Sequence, residues 1–110
     1  RKNEIINNFV YGHSSDEYLE NIIPDKEKIR EALAILFGWF RDLILVKLGV
    51  DGIRLINLDR LKDLEKLKGQ YSFDELEETI AQIVKTSQSL EDNFNMKIAL
   101  TLIKEIIWRK

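Results

Sequence analysis

At 110 residues the chain is expected to be one domain, long enough to bury a core and too short to hold a nucleotide-binding module together with a second domain. Hydrophobic residues make up 45% and charged residues 33%, the mix of a folded globular protein, while 17 basic against 19 acidic residues leave a net charge of -2 and exclude the domain-wide positive field of an autonomous nucleic-acid binder. With no cysteine, disulfides, thiolate metal sites and cysteine nucleophiles are excluded together.

The chain begins at Arg1 with a helical pattern already under way and no initiator methionine, which is the expectation for a piece cut from a longer protein. No basic start, apolar run and small-residue cleavage site mark a secretory signal, so a cytoplasmic setting is expected. Over Asn3 to Tyr11, Ile5, Ile6, Phe9 and Val10 share one face, and Gly12 is a natural terminator. His13, Ser14, Ser15 and Asp16 then form a polar turn in which Ser14 and Glu17 have capping-box spacing, leading into a short helix through Asn21. Pro24 suits the first position of the next helix, where its missing N–H costs nothing, with Asp25 and Glu27 near the positive end of the dipole.

Asp25 to Leu48 is the most informative segment. Ile29, Leu33, Leu36, Phe37, Phe40, Ile44 and Leu48 form one stripe at three- and four-residue steps, and Ala32, Ile35, Trp39, Leu43 and Val46 form another beside it. A helix apolar on most of its circumference must be covered on most sides, so this is predicted to be the central helix, ended by Gly49. Gly38 in its middle costs about 1 kcal/mol against alanine, which predicts the close approach of a neighbouring helix. Its longest apolar run, Ala32 to Phe40, is about half of the roughly 20 residues that cross a bilayer, so no membrane association is expected.

After a loop from Val50 to Asn57, Asn57 or Asp59 is placed to cap a helix carrying Leu61, Leu64 and Leu67 that stops near Gly69. Ser72 with Glu75 is a second capping box. Behind it Phe73, Leu76, Ile80, Ile83, Ser87, Leu90 and Phe94 make a narrow stripe, the pattern of a helix packed on one side and wet on the other. Asn93-Phe94-Asn95 breaks that helix, and Asn95 caps a last one whose Met96, Ala99, Leu100, Leu102, Ile103, Ile106 and Ile107 span a broad face. Ile53 to Leu58 is the one segment that reads as a strand, and a lone strand has no partner. The expected fold class is all-α: a compact bundle of five or six helices around a central helix near 25–48, a single domain over 1–110.

Chemistry is sparse. His13, Ser14, Ser15 and Asp16 contain the letters of a triad, but consecutive residues in a turn lack the convergence that one requires. No Glu-x-x-His pair of a carboxylate-bridged metal bundle is present, and Asp51-Gly52 lacks the acidic series of a calcium loop. Gly49 and Gly52 are not followed by Gly-Lys-Ser/Thr, so no nucleotide loop is predicted. Basic and acidic residues alternate along Asp59 to Lys68, the pattern of a solvated face, and Trp108-Arg109-Lys110 is read as favourable charge at a helix C-terminus. No catalytic, cofactor-binding or metal-ligating residue is therefore expected. Arg41 and Asp42 interrupt the most apolar helix, where an unpaired charge is expensive. Either they reach the surface or, the preferred expectation, they tie the central helix to the Asn93-Phe94-Asn95 turn.

Trp39-Phe40-Arg41-Asp42-Leu43-Ile44-Leu45-Val46-Lys47, then Asn57-Leu58-Asp59, then Leu90 through Asn93-Phe94-Asn95 with an apolar last helix, resembles the C-terminal region of the delta-prime subunit of bacterial DNA polymerase III. The resemblance runs over nearly the whole chain, most clearly from Ala32 to Ile107, and rests on the order and spacing of short non-catalytic motifs; Trp39, Arg41, Asp42, Asn93 and Asn95 are its structural positions. It implies a helical collar domain, joined in the full subunit to an N-terminal AAA+ module. In that family five collars, from delta, delta-prime and gamma/tau subunits, form a ring, and the attached modules open the sliding clamp onto primed DNA in the bacterial replisome. The collars of delta and gamma/tau are the nearest alternatives. Non-catalytic assembly within a parent DNA-directed DNA polymerase is thus the leading expectation. Its partners would be the other clamp-loader subunits, with the clamp and primed DNA reached only indirectly through the absent domains. Apolar residues on several helix faces agree with this role, since so small a domain hides greasy surface poorly without neighbours. A helical nucleic-acid-binding module is the second expectation, and a small enzyme the third.

Overall fold

In the computed structural model of the chain, the described residues are 2–12, 16–50, 54–92 and 95–108. They form six α-helices: α1 (Lys2–Phe9), α2 (Asp16–Ile22), α3 (Lys26–Lys47), α4 (Leu61–Leu67), α5 (Phe73–Gln88) and α6 (Met96–Trp108). Single 3-10 turns, Leu58–Arg60 and Lys68–Gln70, precede and follow α4. The described residues contain no strand, so the all-α class holds. The expected turn at His13 to Ser15, with its Ser14 capping box, and the Asp51-Gly52 turn lie outside the described residues. So do Ile53, Asn93, Phe94, Arg109 and Lys110.

The ends of α3 show how local chemistry sets its length. The Asp25 carboxylate accepts hydrogen bonds from the backbone N–H groups of Glu27 and Lys28, at 3.0 and 3.3 Å. Asp25 is thus the N-cap, and Pro24 lies one residue outside the helix rather than at its first position; an aspartate that satisfies two orphan donors outweighs the proline's preset φ. At the other end the N–H of Gly49 bonds to the Val46 carbonyl and that of Val50 to the Leu45 carbonyl, the pair of bonds that defines a Schellman motif. Gly49 supplies the required positive φ of 81°.

α3 is the central rod, packed by α1, α2, α4 and α5. Ile29, Ala32, Leu33, Leu36, Trp39, Phe40, Leu43 and Val46 are buried on it, and α6 closes the bundle by packing on α5 and α2. α5 runs antiparallel to α3: Phe73 at its start lies under the Lys47 ammonium, while Glu91 just beyond its end pairs with Lys26 and Arg30. The predicted capping box opens α5, with Ser72 Oγ accepting from the Glu75 N–H and the Glu75 carboxylate from the Ser72 N–H. The helix stops at Gln88, short of Asn93, and its buried stripe is Leu76, Thr79, Ile83 and Thr86. Ser87 and Phe73 are exposed instead. The two threonines were invisible to a count of apolar residues, but each hydroxyl bonds to the carbonyl four residues back, so that its methyl can face the core.

Neither Asn57 nor Asp59 caps α4, because both side chains are engaged elsewhere: Asn57 with Asp42, Asp59 with Lys2. Asn95 does cap α6, its Oδ1 accepting from the Ile98 N–H at 3.3 Å. Gly38 does not mark a close helix crossing. A β-carbon built there would meet only the Ile56 Cδ1 methyl, at an ordinary 3.5 Å.

Candidate interaction surface

Asp42 is fully buried in the apolar helix. Its carboxylate accepts hydrogen bonds from the backbone N–H of Asn57 at 2.7 Å, the Asn57 side-chain amide at 2.8 Å, the Ile56 N–H at 3.2 Å and the Arg41 guanidinium at 3.1 Å. Four donors offset the cost of dehydrating the charge, which explains why an aspartate survives at this position. Asp42 is thus tied to the segment entering α4 rather than to Asn95, whose side chain caps α6; Asn93 and Phe94, the rest of the expected turn, lie outside the described residues. The reason is topological: Glu91 sits beside Lys26 and Arg30 at the start of α3, and Arg41 is 11 residues further along, about 16 Å at 1.5 Å per residue.

Trp39, a turn before Asp42, is fully buried with the Arg60 guanidinium 5.2 Å from its ring centre. The same guanidinium lies 5.6 Å from the Tyr11 ring and donates hydrogen bonds to Asp63 at 2.9 Å and Asn3 at 3.0 Å. One arginine thus joins α1, the Gly12 turn, α3 and α4. Burial pushes the Tyr11 phenol above its usual range, Asp63 adds to the rise, and Arg60 opposes it. Two buried polar atoms in this region, Trp39 Nε1 and Asn57 Oδ1, have no hydrogen-bond partner among the described residues. Sequence reasoning missed Arg60; the nearest signal was its place directly after the Asn57-Leu58-Asp59 motif, at the start of a charged helix.

With Asp42 anchored, the neighbouring outward edge of α3 is left partly bare. Ala34, Phe37, Arg41, Ile44 and Leu48 follow one another at steps of three and four along the outward edge; Phe37 is 40% and Leu48 61% exposed, while Ile44 is half-buried and leans on the core. The helix is thus covered on most sides, as expected, and exposed along one strip. Ile56, 62% exposed, stands beside Gly38 and flanks the strip; Phe73, 42% exposed, lies near its far end beside Lys47. A second bare face lies on α6, at Ile98 and Leu102.

Several of the cations among the described residues are paired with carboxylates. Lys2 pairs with Asp59, Lys26 and Arg30 with Glu91, Arg30 also with Glu27, Arg60 with Asp63, Lys68 with Glu65 and Lys97 with Glu20. Lys2 holds the Asp59 carboxyl below its ordinary range. Among the described residues no three His, Cys, Asp or Glu side chains gather as metal ligands, and no helix is long and apolar enough to cross a membrane.

The family described as DNA polymerase III, delta subunit, C terminal matches residues 4–107. No curated protein and no solved structure gives a significant match to the chain. The family found is that of the delta subunit, one of the two nearest alternatives in the sequence reading, and the match does not support the delta-prime assignment.

Proposed function

Because the chain belongs to the family formed by the C-terminal domains of DNA polymerase III delta subunits, and so is a clamp-loader component, we propose that it is a non-catalytic assembly domain that helps hold the clamp loader together by packing against sibling subunits. The observation that carries this reading is the family match over nearly the whole chain. The bare apolar strip on α3 and the face on α6 support it, since large exposed side chains gathered on helix faces are surface that a neighbour covers. In this reading residues 1–110 are a single collar domain of a cytoplasmic replication protein, and the AAA+ module lies elsewhere in the same polypeptide. The subunit assignment follows the family description, delta. The order of motifs from Trp39 to Asn95 favours delta-prime as the second reading.

Reconstitution tests the proposal. The purified protein that carries this domain is mixed with purified gamma/tau and with either delta or delta-prime, and the mass of the assembly is read by light scattering. Entry into a complex that lacks delta identifies the delta role, and entry into one that lacks delta-prime identifies the other. Failure to enter either overturns the assembly reading. Binding to single-stranded and primed DNA at rising salt discriminates the nucleic-acid alternative, whose affinity falls steeply with salt concentration. Little binding at any salt is expected from a domain with a net charge of -2 and several of its cations paired with carboxylates.

A further inference from the structure

We infer that the outward edge of α3 receives one helix from a neighbouring clamp-loader subunit, and that this helix places a carboxylate opposite Arg41; the inference rests on the assembly reading above. The argument begins with spacing. Ala34, Phe37, Arg41, Ile44 and Leu48 recur at three, four, three and four residues, a 3.5-residue average that keeps one strip of a helix in line over two heptads. Such a strip is the complement of another helix packed knobs-into-holes at a shallow angle, and its length, about 21 Å at 1.5 Å per residue, is that of a partner helix of roughly four turns. Within the described chain the buried arc of the same helix is used by α1, α2, α4 and α5, whereas Phe37 and Leu48 on the strip stay exposed. Ile56 stands beside Gly38 on one flank of the strip, and Phe73 lies near its far end.

Arg41 specifies the chemistry of the occupant. It sits midway along the strip with its side chain 40% exposed, and its one hydrogen bond among the described residues goes to Asp42. The Asp42 carboxylate is already supplied by Asn57 and Ile56, so most of the guanidinium's five donors remain unspent and available to a partner. A charged residue at the centre of an otherwise apolar seam weakens nonspecific pairing and selects a partner bearing the opposite charge in register. Among the described residues the exposed row of α6 is Ile98, Leu102 and Glu105.

The experiment uses the full-length protein in its reconstituted complex with purified sibling subunits. Phe37→Glu and Leu48→Glu should each weaken assembly by about 100-fold or more, and Arg41→Gln by on the order of tenfold, as expected for interface contacts and a lost charge pair. Ile98→Glu on α6 should leave the α3 contact intact, and circular dichroism on each variant confirms folding. A photocrosslinking residue at Phe37 or Leu48 should map, by mass spectrometry, to a single helical segment of a sibling that contains an aspartate or glutamate. Crosslinks to a segment without acidic residues overturn the Arg41 assignment. Normal assembly of both glutamate variants, or crosslinks to DNA alone, overturns the docking face while leaving the assembly reading standing. If the unaltered protein fails to assemble, the assembly reading itself falls and this inference with it.

Discussion

The carboxylate of Asp42 takes both donors that Asn57 can offer it, the backbone N–H at 2.7 Å and the side-chain amide at 2.8 Å, although 15 residues separate the two in sequence. This pair fastens the segment before α4 to the middle of α3. Asp42→Asn keeps the shape but turns an acceptor-only group into one that presents N–H to N–H. A loss of about 2 to 3 kcal/mol is expected, the range for hydrogen bonds to a charged group, and Asp42→Ala should cost at least as much. Urea unfolding with an unchanged m-value checks it. A loss under about 0.5 kcal/mol, the scale of ordinary surface substitutions, would mean the pair is not structural.

Two glycines should respond in opposite directions. Gly12 has φ of +79°, and a β-carbon there would overlap the Trp108 ring, whose Nε1 donates to the Phe9 carbonyl at 3.0 Å. Gly12→Ala combines the left-handed backbone penalty with displacement of that ring and is expected to cost about 2 kcal/mol or more. Gly38 has ordinary helical geometry and room for a methyl, so Gly38→Ala should be neutral or stabilise by up to about 1 kcal/mol. Thermal melts of the two variants give the comparison directly.

Arg60 should not be replaceable by lysine. A lysine can face one ring, but it lacks the planar fork that lies by Tyr11 and Trp39 while bonding Asp63 and Asn3. Arg60→Lys is expected to lose about 1 to 2 kcal/mol. In a Trp108→Phe background the remaining fluorescence reports Trp39, and its emission should shift as the cover over the ring loosens.

Alkaline pH should expose Tyr71. Its hydroxyl donates to the Ile107 carbonyl at 3.0 Å, its ring meets Phe40 edge-on at 5.9 Å, and burial, helped by Glu75 and Tyr11, pushes the phenol up to about 12. The folded chain therefore holds this proton where the unfolded chain has begun to lose it. The sign follows: the contribution is complete below pH 10 and disappears as pH rises through about 12. Denaturant midpoints measured from pH 9 to 12 should fall along that window, and less steeply in Tyr71→Phe. Equal slopes in the two proteins would contradict the assignment.

Stability against alkali, the glycines and the arginine stack all depend on contacts between distant segments, and that is where the sequence stops being sufficient. The apolar periodicity of Asp25 to Leu48 and the Ser72–Glu75 box depend on neighbours within one or two helical turns, so helix identity, the α3 boundaries to within a residue and the all-α class were legible from the chain alone. The Asn57 side chain had two possible uses, a local cap or a distant partner, and only the packed bundle set the buried Asp42 charge beside it. The same holds for Asp42: its cost in an apolar helix was plain, but which segment would receive it followed from the packing of the helices, in which the antiparallel course of α5 carries Glu91 to the far end of α3. Tertiary structure also decided which apolar stripe is left bare, because periodicity states that a face is greasy and cannot state which of two adjacent faces the other helices will cover.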